Sequence, residues 1–109
     1  DRTSAEFERG HANLDRLMAA RDAAGRDFDV AILDPGPTAR VSYANHYLAN
    51  GAAIVPLGGD SADGPALEAI HTLHPDRTIV GVPGETIAFG GGGPHCITQQ
   101  IPIGVDITE

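Results

Sequence analysis

A chain of 109 residues is enough for one small domain, and its net charge of −8 disfavours a nucleic-acid or anionic-membrane surface. Hydrophobic residues make up 41% but aromatics only 5%, with no Trp, so any core rests on Ala, Ile, Leu and Val. A single Cys excludes an internal disulfide and fits a reducing, cytoplasmic setting, and no apolar run is long enough to span a membrane.

The opening segment predicts a helix. Leu14, Leu17 and Met18 share a face, Phe7 lies two turns earlier, and Gly25 stands where a C-terminal cap is expected. Residues 28–33, Phe-Asp-Val-Ala-Ile-Leu, read as a strand, stopped by Asp34-Pro35-Gly36-Pro37. Val41, Tyr43, Asn45, Tyr47 and Ala49 alternate as one face of a second strand. Asn50-Gly51 then suits a type I′ hairpin turn. Residues 52–57 return as a strand apolar enough to be buried on both faces. After a polar loop, Asp63 is expected to cap a helix with Pro65 in its first turn and a stripe of Ala66, Leu67, Ile70 and Leu73. His74-Pro75 ends that helix. Residues 78–82 predict another strand, and residues 97–101, beyond a glycine-rich loop, a last one. The order is a β-hairpin, a helix, a strand, a glycine loop and a strand, preceded by a helix and a strand of another unit. The fold class is α/β (α+β).

The glycine loop carries the chemistry. Gly90-Gly91-Gly92-Gly93-Pro94-His95 leads directly to Cys96, the sole cysteine. Four glycines sacrifice side-chain packing and raise the entropy cost of ordering, which is tolerated where the chain turns tightly or approaches a ligand closely. A thiol held there is a candidate nucleophile; a lone Cys elsewhere is more often a small buried hydrophobe. A phosphate cradle is the weaker reading, because no Lys follows at P-loop spacing. His46, His71 and His74 have no spacing that suggests a metal site. His95 neighbours Cys96, but in extended backbone adjacent side chains point apart, so a supporting role is expected of it.

Three blocks in register carry a resemblance: Ser42-Tyr43-Ala44-Asn45 through Asn50-Gly51-Ala52-Ala53-Ile54-Val55-Pro56; Gly59-Asp60; and Phe89 through His95-Cys96-Ile97-Thr98-Gln99-Gln100. Together with Pro75-Asp76-Arg77 before Ile79-Val80-Gly81-Val82-Pro83, they resemble the C-terminal part of agmatine deiminases, which group with the Porphyromonas-type peptidylarginine deiminases. The resemblance covers nearly the whole chain. It implies a five-bladed propeller of pseudo-symmetric ββαβ units, with residues 1–39 ending one blade and 40–103 forming the last. It implies hydrolysis of agmatine to N-carbamoylputrescine and ammonia, a step toward putrescine, with no metal or organic cofactor. By the same resemblance Cys96 is the nucleophile, and Asn45, Gly92 and Gly93 lie against the guanidinium substrate. The acid of this family is the His of a His-x-Asp motif. Gly10-His11-Ala12-Asn13 only echoes it, so the acid and the binding carboxylates are expected upstream of Asp1. The chain is accordingly expected to be a C-terminal piece, inactive alone. The alternatives are a peptidylarginine deiminase and a non-catalytic, self-associating blade that forms homo-oligomers.

Overall fold

The computed structural model describes residues 4–34 and 36–104. Pro35, part of the expected strand stop, lies outside the described residues. The chain divides into two compact units, residues 1–32 and 33–109.

The first unit is built on helix α1, Ala5–Ala19. Ser4 caps it, its hydroxyl accepting from the Phe7 N–H at 3.2 Å. The helix stops at Ala20, whose backbone is extended. Gly25 is therefore not its cap. It sits at φ +78° in the following turn, where the Asp22 carboxylate accepts from the Ala24 and Arg26 N–H groups at 2.9 Å each. The apolar face of α1 is largely uncovered, with Phe7 37%, Leu17 50% and Met18 63% exposed. The strand expected at residues 28–33 does not form. Those residues are irregular, Phe28 and Ile32 are exposed, and no described strand offers them a ladder.

In the second unit a three-stranded sheet has the order β1-β2-β3, from β1 (Tyr47–Ala49), β2 (Ala52–Leu57) and β3 (Thr78–Pro83). β1 and β2 form an antiparallel hairpin, with Ala49 opposite Ala52. Only Gly51 has a positive φ in its turn, so the turn is not type I′, which demands positive φ at both central residues. β1 is also shorter than the alternation predicts. Tyr43–Asn45 instead wind into a 3-10 turn, because the Tyr43 ring is needed in the core, where it is 2% exposed.

Helix α2, Asp63–Leu73, crosses over from β2 to the parallel β3, completing a ββαβ unit. Ala66 and Ile70 project from it onto Ala53 and Val55, and with Val41, Tyr43 and Ala62 these make the core. Leu73, expected on the same stripe, is 41% exposed. β2 is buried through Ala53, Val55 and Pro56, while Ala52 and Ile54 on the other face are only half-covered. A proline in a central strand needs an unpaired flank. Leu57 directs its carbonyl to β3, accepting from the Gly84 N–H at 2.9 Å. Pro56 therefore faces the β1 side, where β1 has ended opposite Ile54.

Asp63 is not the cap of α2 but its first residue. Its carboxylate reaches backward instead, accepting from the Tyr43 hydroxyl, the Gly58 N–H and the Gly59 N–H, each at 2.8 Å. Burial pushes this carboxyl up, but those donors outweigh burial and hold it below its ordinary range. Burial of the ring, and after it the hydrogen bond to the Asp63 carboxylate and that group's charge, raise the Tyr43 phenol well above its ordinary range.

After β3 comes a short helix absent from the sequence-based expectation, α3, Glu85–Phe89. The strand predicted at residues 97–101 does not form. His95–Ile97 make a single 3-10 turn, and the chain beyond is irregular. Among the described residues, no helix is long and apolar enough to cross a membrane.

Candidate active site

The glycine run is the C-terminal stop of α3. The Gly90 and Gly92 N–H groups both donate to the Ile87 carbonyl, at 3.0 and 3.2 Å, and the Gly91 N–H donates to the Ala88 carbonyl at 2.9 Å. Gly91 supplies the left-handed residue at φ +86° that commonly ends a helix. The chain thus reverses within four residues and delivers Pro94 and the 3-10 turn that holds Cys96.

On the facing segment, the Tyr43–Asn45 turn is closed by the Asn45 N–H donating to the Ser42 carbonyl at 3.0 Å. Its position is fixed from two sides: Tyr43 is tied to Asp63, and His46 Nδ1 donates to the Tyr43 carbonyl at 2.8 Å. Asn45 then meets Cys96 through both ends of its amide. Oδ1 accepts from the Cys96 N–H at 3.2 Å, and Nδ2 donates to Cys96 Sγ at 2.9 Å. The backbone contact requires the oxygen on one side, which leaves the amino group for the sulfur.

The thiol is exposed. The Asn45 amide, and after it the Gly93 N–H, favour the charged form and hold Cys96 below the ordinary thiol range, against a smaller opposing effect of burial. An open depression of about 320 Å³, lined by Ser42, Ala44, Asn45 and His95, adjoins this pair. A second, of about 360 Å³, is lined by Ala44, His46, Tyr47, Leu48, His95 and Gln100. His95 borders both, its ring edge-on to Tyr47 at 6.3 Å between centroids. A third depression, of about 310 Å³, lies at the C-terminal ends of β2 and β3 between Leu57 and Thr86, and neither Cys96 nor Asn45 lines it.

Of the residues singled out in the sequence, Cys96, Asn45 and Gly93 are in direct contact, and Gly92 packs beside the Cys96 side chain. The extended-backbone argument about His95 fails, because it begins a 3-10 turn. Two features of the site escaped the sequence. One is the Tyr43–Asp63 link that steadies the Asn45 turn; a buried phenol needs a partner, but nothing in the spacing says which carboxylate supplies it. The other is α3, whose only signal was the apolar trio Ile87, Ala88 and Phe89 ahead of the glycines. Among the described residues no carboxylate or imidazole bonds Cys96 or Asn45, and no group of three or more His, Cys, Asp or Glu is placed to hold a metal ion. What the arrangement can do is keep a thiolate charged and fixed beside an open surface, the requirement of an attacking sulfur.

Similar proteins have longer chains. An Enterococcus faecalis agmatine deiminase, described as catalysing its reaction, superposes with a TM-score of 0.75 and 31% identity, covering 94% of this chain and 34% of its own. A Selenomonas ruminantium protein provisionally named agmatine deiminase is 32% identical over 128 aligned residues, 94% of this chain and 34% of that one. One from Streptomyces coelicolor, likewise named provisionally, is 40% identical over 106 residues, 89% of this chain and 31% of that one. The chain thus spans about a third of the length of these relatives. The family description that fits residues 1–102 is that of the Porphyromonas-type peptidyl-arginine deiminases. With that match over nearly its whole length, the chain belongs to this family of deiminases.

Proposed function

We propose that this chain supplies the nucleophile half of an agmatine deiminase active site, as the last ββαβ blade of a five-bladed propeller together with the end of the blade before it. The observation that carries the reading is the Asn45 amide donating to Cys96 Sγ at 2.9 Å. The Cys96 thiolate attacks the guanidinium carbon of agmatine and gives a tetrahedral adduct. Ammonia leaves when its nitrogen is protonated, which leaves an S-alkylthiouronium. Water adds to the same carbon, the C–S bond breaks, and N-carbamoylputrescine departs as the thiolate is restored. The balance is agmatine plus water to N-carbamoylputrescine plus ammonia, with no oxidant, metal or organic cofactor consumed. Asn45 holds the thiolate before attack, and Gly92, which is only half-buried, lets the main chain approach the flat guanidinium. The net charge of −8 suits a cationic substrate.

The proton donor and the carboxylates that grip the guanidinium come from outside these residues, in keeping with a span of about a third of the relatives' length. Ammonia release is to be measured with agmatine and with a peptidyl-arginine, for the chain alone and for a protein that carries it in line with the rest of a deiminase fold. The expected outcome is turnover of agmatine by the longer protein only, lost on Cys96→Ser. Turnover that survives Cys96→Ser removes the nucleophile. Parent-like turnover by the 109 residues alone removes the shared site, and a preference for peptidyl-arginine transfers the assignment to that substrate.

A further inference from the structure

The four glycines before Cys96 differ in what they do. Gly91 has φ +86° and open space where a Cβ would stand, so it serves backbone conformation. A Cβ on Gly92 would meet the Cys96 Cβ at 3.3 Å, a contact that a small shift relieves. Gly93 has no positive φ, so an L side chain suits its backbone, yet it has no room for one. A Cβ there would fall 2.7 Å from Asn45 Cγ, 2.8 Å from its Cβ and 2.9 Å from its Oδ1.

We propose that Gly93 is a positioning residue, whose bare Cα is the surface on which the Asn45 amide rests and by which it is aimed at Cys96 Sγ. Rotating the Asn45 side chain does not relieve the clash, because one of the three atoms is its Cβ, which the backbone places. The Tyr43–Asn45 turn resists moving, since Tyr43 is buried and bonded to Asp63. Moving Gly93 instead carries Cys96 with it, because the Cys96 N–H donates to the Gly93 carbonyl at 3.0 Å. Either displacement lengthens the 2.9 Å contact between the amide and the sulfur. Gly93 is itself buried, so its lack of a side chain serves Asn45 rather than a ligand in the open depression.

The inference rests on Cys96 being the nucleophile, but it is read from the thiol itself and not from turnover, so the two can fail separately. The thiol of the full 109-residue chain is titrated by thiolate ultraviolet absorbance and by the pH dependence of its alkylation with iodoacetamide. Wild type, Gly93→Ala, Asn45→Gly and the double variant are compared. Gly93→Ala is expected to move the titration upward and slow alkylation at neutral pH, as Asn45→Gly does. In the Asn45→Gly background, where all three clashing atoms including the Cβ are gone, adding Gly93→Ala is expected to shift nothing further. An unshifted Gly93→Ala titration overturns the proposal, as does an equal shift in both backgrounds. Should Gly93→Ala fail to fold, recovery of folding by circular dichroism in the double variant supports the clash with Asn45, and failure of both variants overturns it.

Discussion

At the scale of single residues, Asp63 joins three parts of the second unit. It ties the turn after β2, the first turn of α2 and the Tyr43 phenol that steadies Asn45. Its carboxyl is held below its ordinary value near 3.9. A depressed carboxyl stabilises the folded state above its unfolded pKa, and that stability is lost as pH falls through the folded value. The urea midpoint of the chain is therefore expected to fall steeply on acidification below about pH 4. Asp63→Asn is expected to lower the midpoint at neutral pH and to flatten its acid limb, because an amide nitrogen cannot accept the Gly59 N–H. A variant whose acid limb keeps the wild-type slope would move the titrating group elsewhere. The residue-level chemistry was half legible in the sequence. Cys96 and Asn45 could be named because the glycine run, the lone thiol and the blocks around them are local. The amide-to-sulfur contact joins residues 51 positions apart and depends on a 3-10 turn that the alternation at Val41–Ala49 disguised as strand.

At the scale of elements, α2 and β2 were legible because their signals are periodic and their burial follows the period. Ile70 packs on the sheet with 0% exposure, while Leu73, one turn on, is 41% exposed. Ile70→Ala is expected to cost about 2–5 kcal/mol, a large share of the stability of a small domain, whereas Leu73→Ala costs far less. Urea unfolding of the two variants checks this; equal losses would mean that α2 is seated on another face. The strands at residues 28–33 and 97–101 failed for a shared reason. A strand exists only with a ladder partner, and local pattern says nothing about whether one arrives. Helix α3 failed for the opposite reason: five residues bounded by glycines give no period to count.

At the scale of the whole molecule, burial is concentrated in the second unit. All seven buried apolar core residues described lie between Val41 and Ile70. Helix α1 keeps Phe7, Leu17 and Met18 in solvent, and a helix of this length is marginal without packing. Hydrogen exchange on the full chain is expected to protect the amides of β2 and the middle of α2 far longer than those of α1. Equal protection would show that something buries the α1 face in solution. Phe89, 97% exposed, and Ile97, at 67%, flank the glycine run and Cys96. The overall order of hairpin, helix and strand was legible because the crossover needs a helix between parallel strands. The division at Ile32 was not, since it falls inside an apolar run.

The glycine run is fixed at both ends, by the carbonyls of α3 on one side and by the Asn45 amide on the other. One residue of trans backbone spans about 3.8 Å. That is longer than the 2.9 Å separating the amide nitrogen from the sulfur. The loop therefore works as a gauge of length: gaining or losing a single unit would carry the sulfur past its partner, however well the new residue suited the bend. What this stretch specifies most strictly is a count of residues.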